Sequence, residues 1–561
     1  MQKKHNKSRL YSLTVIMLSM ALMFALFLSA CNRESQEPAA PEPPPAATPA
    51  PAEDETPADD EEDYEEDYQV TGDVFPLFDT VTNFTWWIPY SGMAMQHITC
   101  LNETVFMQEM ERLTNVRFEF MIPPGGQDQE QFNLIIASGN LPDLMTRAGL
   151  YRGGGDRAIQ DGVFLRLNEL IESYAPNYRA LRESDPMIAR QTVSDSQNIW
   201  AFIPIIDFED TTWWGPMTRQ DWLDEIGMDV PTTLDGWHQM LTGFRDHFGI
   251  TTPLVNLNAR GYDPNGGIIA GAFGIWPGFY HRDGVVRDGR LEAGFRDYLE
   301  FMAMLYAEGL IDQDFPTRGG EDSRALFTSG QAGVIFESPD TVGSITDPLD
   351  IPMIGIPYPV LNEGDELLFR MRQWNIYPGG ATAITTTASH PEALVKFLDF
   401  GYGQEGRILF NFGIEGHTFV FDEHGNPQFT DYVLNNPDGI PLNAGIHIFR
   451  AHNEVPSFRF GSQSNPIPMQ RPASQVVRRA WTDQSQARYN MPPIEFTAEE
   501  GTALARIESN LNPFRGEMIL RFIIGEEPIE NFDDFVAQAI ALGADEEASI
   551  WQQAFDRFMA R

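Results

Sequence analysis

The sequence predicts an α/β protein, on two observations. Between residues 84 and 145 the apolar pattern switches from strand to helix and back, giving strand, helix, strand, helix, strand. The chain has 561 residues, 42% hydrophobic and 12% aromatic, enough to bury more than one domain's core.

The elements follow in order. Phe84-Thr85-Trp86-Trp87-Ile88-Pro89-Tyr90 reads as a buried strand, and Phe106, Met110 and Leu113 mark the helix after it. Val116-Arg117-Phe118-Glu119-Phe120 alternates with period two, as a half-buried strand does. A second helix covers about residues 129–138, and Pro142–Met145 reads as a third strand. This is a doubly wound pattern, and ligands of such sheets bind beyond the carboxyl ends of the strands. Farther on, Thr232-x-x-Asp235 and Ser389-x-x-Glu392 have capping-box spacing. Phe295, Leu299, Met302, Tyr306 and Leu310 share one helical face, and residues 532–558 hold two amphipathic helices broken near Gly543. Gly/Pro/aromatic-rich loops lie at 271–280 and 374–380.

The N-terminus reads as an address. Lys3, Lys4, Lys7 and Arg9 precede an apolar run from about Leu13 to Leu28, and Leu28-Ser29-Ala30-Cys31 looks like a lipobox, whose cysteine is acylated. Residues 1–30 are then a signal peptide, Cys31 the lipidated residue, and the rest sits outside the cytoplasmic membrane, held by its lipid. Residues 31–72 read as a disordered tether: residues 32–72 carry 14 acids and one base, Arg33, among prolines and alanines. Extended at ~3 Å per residue, it reaches roughly 100 Å. With Cys31 consumed by lipid, Cys100 has no partner, so the fold has no disulfide and Cys100 reads as a small core residue.

Charge and motifs exclude several classes. The formal charge of −43 argues against nucleic acid, whose phosphates need a basic face. The lysines are Lys3, Lys4, Lys7 and Lys396, none in a phosphate-cradling Gly-Lys-Ser/Thr loop. Gly401-x-Gly403-x-x-Gly406 matches a dinucleotide fingerprint by letters but follows a helical segment, so its context is wrong. No H-E-x-x-H or G-x-S-x-G occurs, and His447 and His452, five apart, have poor zinc spacing and read as surface or structural residues. A glycosidase carboxylate pair cannot be located from sequence.

Several segments together carry a family resemblance. They are Ala137-Ser138-Gly139-Asn140-Leu141-Pro142-Asp143; Thr218-Arg219-Gln220-Asp221-Trp222-Leu223 followed by Pro231-Thr232-Thr233-Leu234-Asp235-Gly236-Trp237; Pro378-Gly379-Gly380-Ala381-Thr382; His390-Pro391-Glu392-Ala393; Gly413-Ile414-Glu415-Gly416; and Gln553-Ala554-Phe555-Asp556-Arg557. In order and spacing, over residues 73–561, the chain resembles the family-1 extracellular solute-binding lipoproteins of ATP-binding-cassette importers, in their large sugar- and oligosaccharide-binding form. The resemblance implies a two-lobed, periplasmic-binding-protein-like (type II) α/β fold with a hinge and an interlobe cleft. One lobe would span about 73–200 plus 340–420, the other about 201–339 plus 421–561. It implies a monomeric receptor that delivers a carbohydrate to membrane permease subunits, with no catalysis and no cofactor. A receptor for another solute, such as a peptide or an acidic polymer, and a secreted glycosidase are the alternatives; the net negative charge speaks mildly against a polyanionic ligand unless a local arginine cluster overrides it. Relatives often carry a calcium loop after the "PTTLDEW" helix; here Phe244–Thr251 lacks the acidic run, so no metal is expected.

A sugar site needs aromatic platforms and carboxylate, amide or guanidinium groups. Trp86-Trp87 and Trp213-Trp214 are adjacent pairs, of which one member each faces the core and the other the cleft. Trp276 and Trp374 lie in Gly/Pro-rich loops, where packing explains a large aromatic less readily. Asp143 follows a strand-end turn, Arg219 and Asp221 either reach the cleft or pair with each other, and Glu337 ends an apolar strand. Trp222 and Trp237 read as helix-packing residues.

Overall fold

The computed structural model describes residues 75–90, 92–206, 212, 214–257, 267–346, 349–369, 376–459, 477–481 and 489–561. The signal segment, Cys31, the tether, Trp213 and Trp374 lie outside the described residues.

The first five elements alternate as the sequence predicts: Thr82–Trp87 (β1), Val105–Thr114 (α1), Val116–Met121 (β2), Asp128–Ser138 (α2) and Leu144–Thr146 (β3). Thr104 caps α1 by accepting from the Met107 amide, and Asn115, in the left-handed region, turns the chain directly into β2. β1 pairs in parallel with both neighbours, Thr82 opposite Val116 and Trp86 opposite Leu144. Helices and loops cover both faces of this sheet, so neighbouring β1 residues point into two different apolar clusters, one around Phe84, Trp86 and Phe118, the other around Trp87, Phe132 and Met145.

After the short strand Ile205–Ile206 (β4) a second sheet begins. Gly215–Arg219 (β5), Gln220–Ile226 (α3), Leu234–Phe248 (α4) and Leu254–Val255 (β6) are followed by the hairpin Phe279–Arg282 (β7) and Val285–Asp288 (β8). Ala293–Ala307 (α5), Gly320–Thr328 (α6), Val334–Glu337 (β9) and Met353–Gly355 (β10) complete this part. The sheet order is β10-β5-β9-β6; β6 runs parallel to β9, and β5 runs antiparallel to β9 and β10. Trp237, Phe244, Tyr298 and Phe336 centre its core.

The chain then returns. Thr382–Ile384 (β11) pairs antiparallel with β3 and completes the first sheet as β11-β3-β1-β2. Pro391–Phe400 (α7), Gln404–Phe412 (α8), the hairpin Phe419–Phe421 (β12) and Pro427–Phe429 (β13), and Phe458–Arg459 (β14), which pairs with β4, belong to this side. Ala498–Ile523 (α9), Phe532–Ala541 (α10) and Ala544–Ala560 (α11) close the described chain, with α9 and α10 packing on the second core. The cores thus exchange chain three times, between residues 206 and 214, 369 and 376, and 459 and 477. The sequence reading puts 340–420 with the first lobe and 421–561 with the second. In the structure Ile356, Tyr358 and Leu367 pack in the second core, because β10 pairs with β5, and Ala451 to Phe458 pack in the first. Arg557 on α11 reaches across to Asp195, at 2.7 Å, beside the first core.

Local details differ from expectation. Thr233, not Thr232, caps α4, because the Thr232 backbone is occupied by pairing with Val360. Ser389 does not cap α7; His390 holds that place without a side-chain bond, Pro391 sets the first turn, and the Ser389 amide points to Asp143. A complete capping box instead opens α9, Thr497 with Glu500. Gly543, at φ 108°, separates α10 from α11, a conformation that suits glycine. Cys100 is half-buried before a single turn rather than inside the core. Among the described residues no helix is long and apolar enough to cross a membrane.

Candidate functional site

The carboxyl ends of β1, β2 and β3 define where a ligand of the first sheet would sit. β1 runs out through Ile88 and Pro89 to Tyr90. β3 runs out to Arg147, whose left-handed backbone (φ 53°) is uncommon for a side-chain-bearing residue. Arg147 pairs with Asp128, the first residue of α2, and with Glu454, 2.9 Å from its Nη2. The Tyr377 hydroxyl donates to the same Glu454 carboxylate at 3.2 Å. The Glu454 hydrogen bond, outweighing burial, holds the Arg147 guanidinium more firmly protonated than usual.

Beside these four residues lies a positively charged, aromatic group from Tyr90 and residues 447–459. The rings of Tyr90 and His452 stack at 4.2 Å, and His447 lies 4.6 Å from His452. Burial, reinforced by the neighbouring arginines, pushes His447 down to about 3 and His452 well below its ordinary value, so both rings are neutral at pH 7. Burial also raises Tyr90, so the phenol keeps its proton. Arg450 and Arg459 are lowered by burial only to about 10 and remain cations. Arg450 is 8% exposed, donates to the Ala451 carbonyl and the Asn453 side-chain oxygen, and leaves Nε without a partner. Arg459 donates to the carbonyls of Asn453 and Val455 and lies 5.7 Å from the Tyr377 ring. Neither forms an ion pair with a carboxylate among the described residues.

The second sheet has its own carboxyl end, at β6 and β9. Glu337 ends β9 and is 4% exposed. It accepts from Arg324 at 2.6 Å, from Asn256 at 3.4 Å and from the Ser338 amide at 2.8 Å. Burial raises its carboxyl despite those partners. Trp214 stands one residue before Gly215, which pairs with Glu337, and its carbonyl accepts from the Tyr358 hydroxyl.

These positions sort the residues expected from sequence. Glu337 and Trp214 lie at a strand's carboxyl end, but Trp214 is 8% exposed and packs in the core. Trp86 and Trp87 are 0% and 1% exposed; neither offers a platform, because both faces of the first sheet are covered. Asp143 sits at the amino end of β3 and fastens it to β1, accepting from the Thr85 amide and hydroxyl at 2.8 and 2.7 Å. Arg219 and Asp221 pair with each other at 2.6 Å, at the end of β5 remote from Glu337, with Arg219 over Trp222. Trp276 is half-buried, 6.4 Å from Phe369, with its ring against Gly267, where a Cβ would come within 2.4 Å. Trp222 and Trp237 are buried, as read from sequence. Of the two readings for His447 and His452, surface or structural, the structural one fits: His452 is 8% exposed and His447 is half-buried. Sequence reasoning passed over Tyr90, Arg147, Tyr377, Arg450, Glu454 and Arg459. A signal was present: residues 450–459 place two arginines, a histidine and a glutamate within ten positions.

No protein-family model matches the chain. A fructooligosaccharide ABC transporter substrate-binding protein, FusA, from Streptococcus pneumoniae is 22% identical over 525 aligned positions, covering 88% of this chain and 94% of that protein. Lipoprotein LipO of Bacillus subtilis is 23% identical over 366 positions, 61% of this chain and 69% of its own length. A polygalacturonan/rhamnogalacturonan-binding protein of the same species, YtcQ, is 23% identical over 263 positions, 44% of this chain and 47% of its own. Among solved structures, a solute-binding protein from Bifidobacterium longum infantis, described as binding HMO and ABC-transporter associated, superposes with a TM-score of 0.70 at 16% identity, covering 86% of this chain and 99% of that one. The alginate-binding protein AlgQ2 superposes with a TM-score of 0.66 at 23% identity, with coverage of 86% and 99%. The fold is that of these solute-binding proteins.

Proposed function

We propose that this chain, which shares its fold and the order of its motifs with the family-1 extracellular solute-binding proteins, is a lipid-anchored receptor for an oligosaccharide, which it presents to an ABC import permease. The two cores act as lobes, and ligand is held between the carboxyl ends of the two sheets. The observation that carries the reading is the pair of polar clusters at those ends, Tyr90, Arg147, Tyr377 and Glu454 on one sheet and Asn256, Arg324 and Glu337 on the other. Both stand where open α/β sheets bind ligands. Similarity to FusA along most of both chains supports a carbohydrate as the solute.

In this reading Glu337 and Glu454 accept from sugar hydroxyls, Arg147 and Arg324 hold those carboxylates in place, and Trp276 with Tyr377 supplies ring faces. Trp213 and Trp374 remain candidates for further platforms. Closure is a population shift, driven by tighter contact with ligand in the closed form. Cys31 carries the lipid, and the acidic tether lifts the body off the outer face of the membrane. The protein binds and releases; it does not catalyse. Micromolar affinity corresponds to about −8 kcal/mol, within reach of a few stacked rings and charged hydrogen bonds. Calorimetric titration against neutral and acidic oligosaccharides tests the reading: heat of binding with at least one of them is expected, and silence from all of them would overturn it.

A further inference from the structure

The first sheet's ligand end holds more positive charge than its own carboxylates neutralise. Arg147 is matched by Asp128 and Glu454. Arg450 and Arg459 form no ion pair among the described residues: their hydrogen-bond and ring partners are backbone carbonyls, one side-chain amide and aromatic rings, and Glu454 acts on Arg459 only through its field. His447 and His452 stand between these cations as neutral rings, and the His447 Nδ1, like the Arg450 Nε, is buried without a partner. Burying a guanidinium costs several kcal/mol unless an anion and hydrogen bonds compensate it. Two of them side by side also repel each other. Such an arrangement is costly to the apo protein and becomes favourable when an anion enters.

We propose that the ligand is an acidic oligosaccharide, with a uronate carboxylate held by Arg450 and Arg459 and the adjoining ring against Tyr90 and Tyr377. The proposal rests on the receptor reading above and narrows its substrate class. A carboxylate suits the site because planar guanidinium groups meet it with two parallel hydrogen bonds. Glu454 sets the limit on charge: a second carboxylate placed beside it is repelled unless Arg147 intervenes, so the carboxylate seat is on the Arg450 side. The formal charge of −43 does not oppose this, since the field within a cleft is set by the groups that line it.

The test titrates the full chain with oligogalacturonides and with mannuronate/guluronate oligomers, each beside its methyl ester, which keeps the rings and removes the charge. Binding of at least one free acid, at least tenfold tighter than its ester and weakening as salt is raised, is expected. Arg450→Gln and Arg459→Gln should each lower affinity for the acid at least tenfold and narrow the gap between acid and ester. Far-ultraviolet circular dichroism and melting confirm that each variant is folded, and the acid–ester comparison on the unaltered chain needs no variant. Esters that bind as tightly as acids, or folded variants that bind the acid unchanged, would overturn the proposal. So would binding of sulfated oligosaccharides in place of uronates. Binding of neutral oligosaccharides alone would sink the acidic assignment and leave the receptor standing; no binding by any saccharide would remove the receptor reading itself.

Discussion

Arg515 and Arg450 are both buried guanidinium groups, and their surroundings differ in one respect. Arg515, on α9, is 2% exposed and lies 2.7 Å from Asp288 and 2.8 Å from Glu547, both buried carboxylates. Asp288 also pairs with Arg290, so two cations face two paired carboxylates, with Glu508 close enough to feel both arginines, and no cation of that group lacks a counter-charge. Arg450, 8% exposed, has a carbonyl, an amide oxygen and two neutral imidazoles for company. The first group ties α9 and α11 to the β7–β8 hairpin and is complete without any ligand. The second stands at the carboxyl ends of the parallel strands and is complete only with an anion supplied from outside. Burial of a charge alone therefore does not mark a site; burial without an internal counter-charge does.

The largest effect expected from breaking this comparison is on the paired group. Arg515→Met strands the buried Glu547 carboxylate, leaves Asp288 with Arg290 alone, and should cost about 3–5 kcal/mol of stability, read by urea denaturation. A loss below about 1 kcal/mol would mean that Asp288 and Glu547 find other compensation. Next comes acid sensitivity of the arginine-rich group. His447 is depressed to about 3 when folded, from an ordinary value of 6.5. The unfolded chain takes up a proton below that ordinary value and the folded chain does not. Stability from this residue is thus present above pH 6.5 and lost as pH falls toward 3, by about 2 kcal/mol at pH 5. His452 is shifted the same way. His447→Gln should shrink the difference between melting curves at pH 7.5 and pH 5, and an identical difference in both proteins would refute the assignment.

A smaller effect is expected where α11 meets the first core. Asp195, partly exposed, accepts from the partly exposed Arg557 at 2.7 Å and from the buried side chain of Arg561 at 2.8 Å, which keeps Glu495 as a second partner. Asp195→Asn should cost about 1 kcal/mol in thermal melting. The smallest effect sharpens the comparison most. Arg450→Met removes a buried charge that has no counter-charge and should not lower stability at all, opposite to the loss expected for Arg515→Met.

Much of the fold was legible because parallel α/β units repeat a local pattern. An apolar, aromatic run at 84–90 and a period-two run at 116–120, with an apolar helix face between them, located β1, α1 and β2 to within a few residues. Gly543 was legible as a break for the same local reason. The division of the chain between cores was not, because it depends on long-range pairing. Nothing near residues 353–355 says that they join β5, and nothing near 458–459 says that they join β4. The site was less legible still. Tryptophans were favoured for size, and Trp86 and Trp87 turned out to fill the two faces of a sheet covered on both sides. Asp143 carries a family-like turn, but its carboxylate closes the sheet at the amino end of β3. The residues that gather at the carboxyl ends come from positions 90, 128, 147, 377 and 447–459, and only folding brings them together.

The measurement that bears most directly on the account is small-angle X-ray scattering of the purified protein, with and without a saturating amount of a saccharide that gives heat in titration. Two cores closing on a ligand predict a smaller radius of gyration in the bound state. An unchanged scattering profile at proven saturation would contradict closure between the two sheet ends.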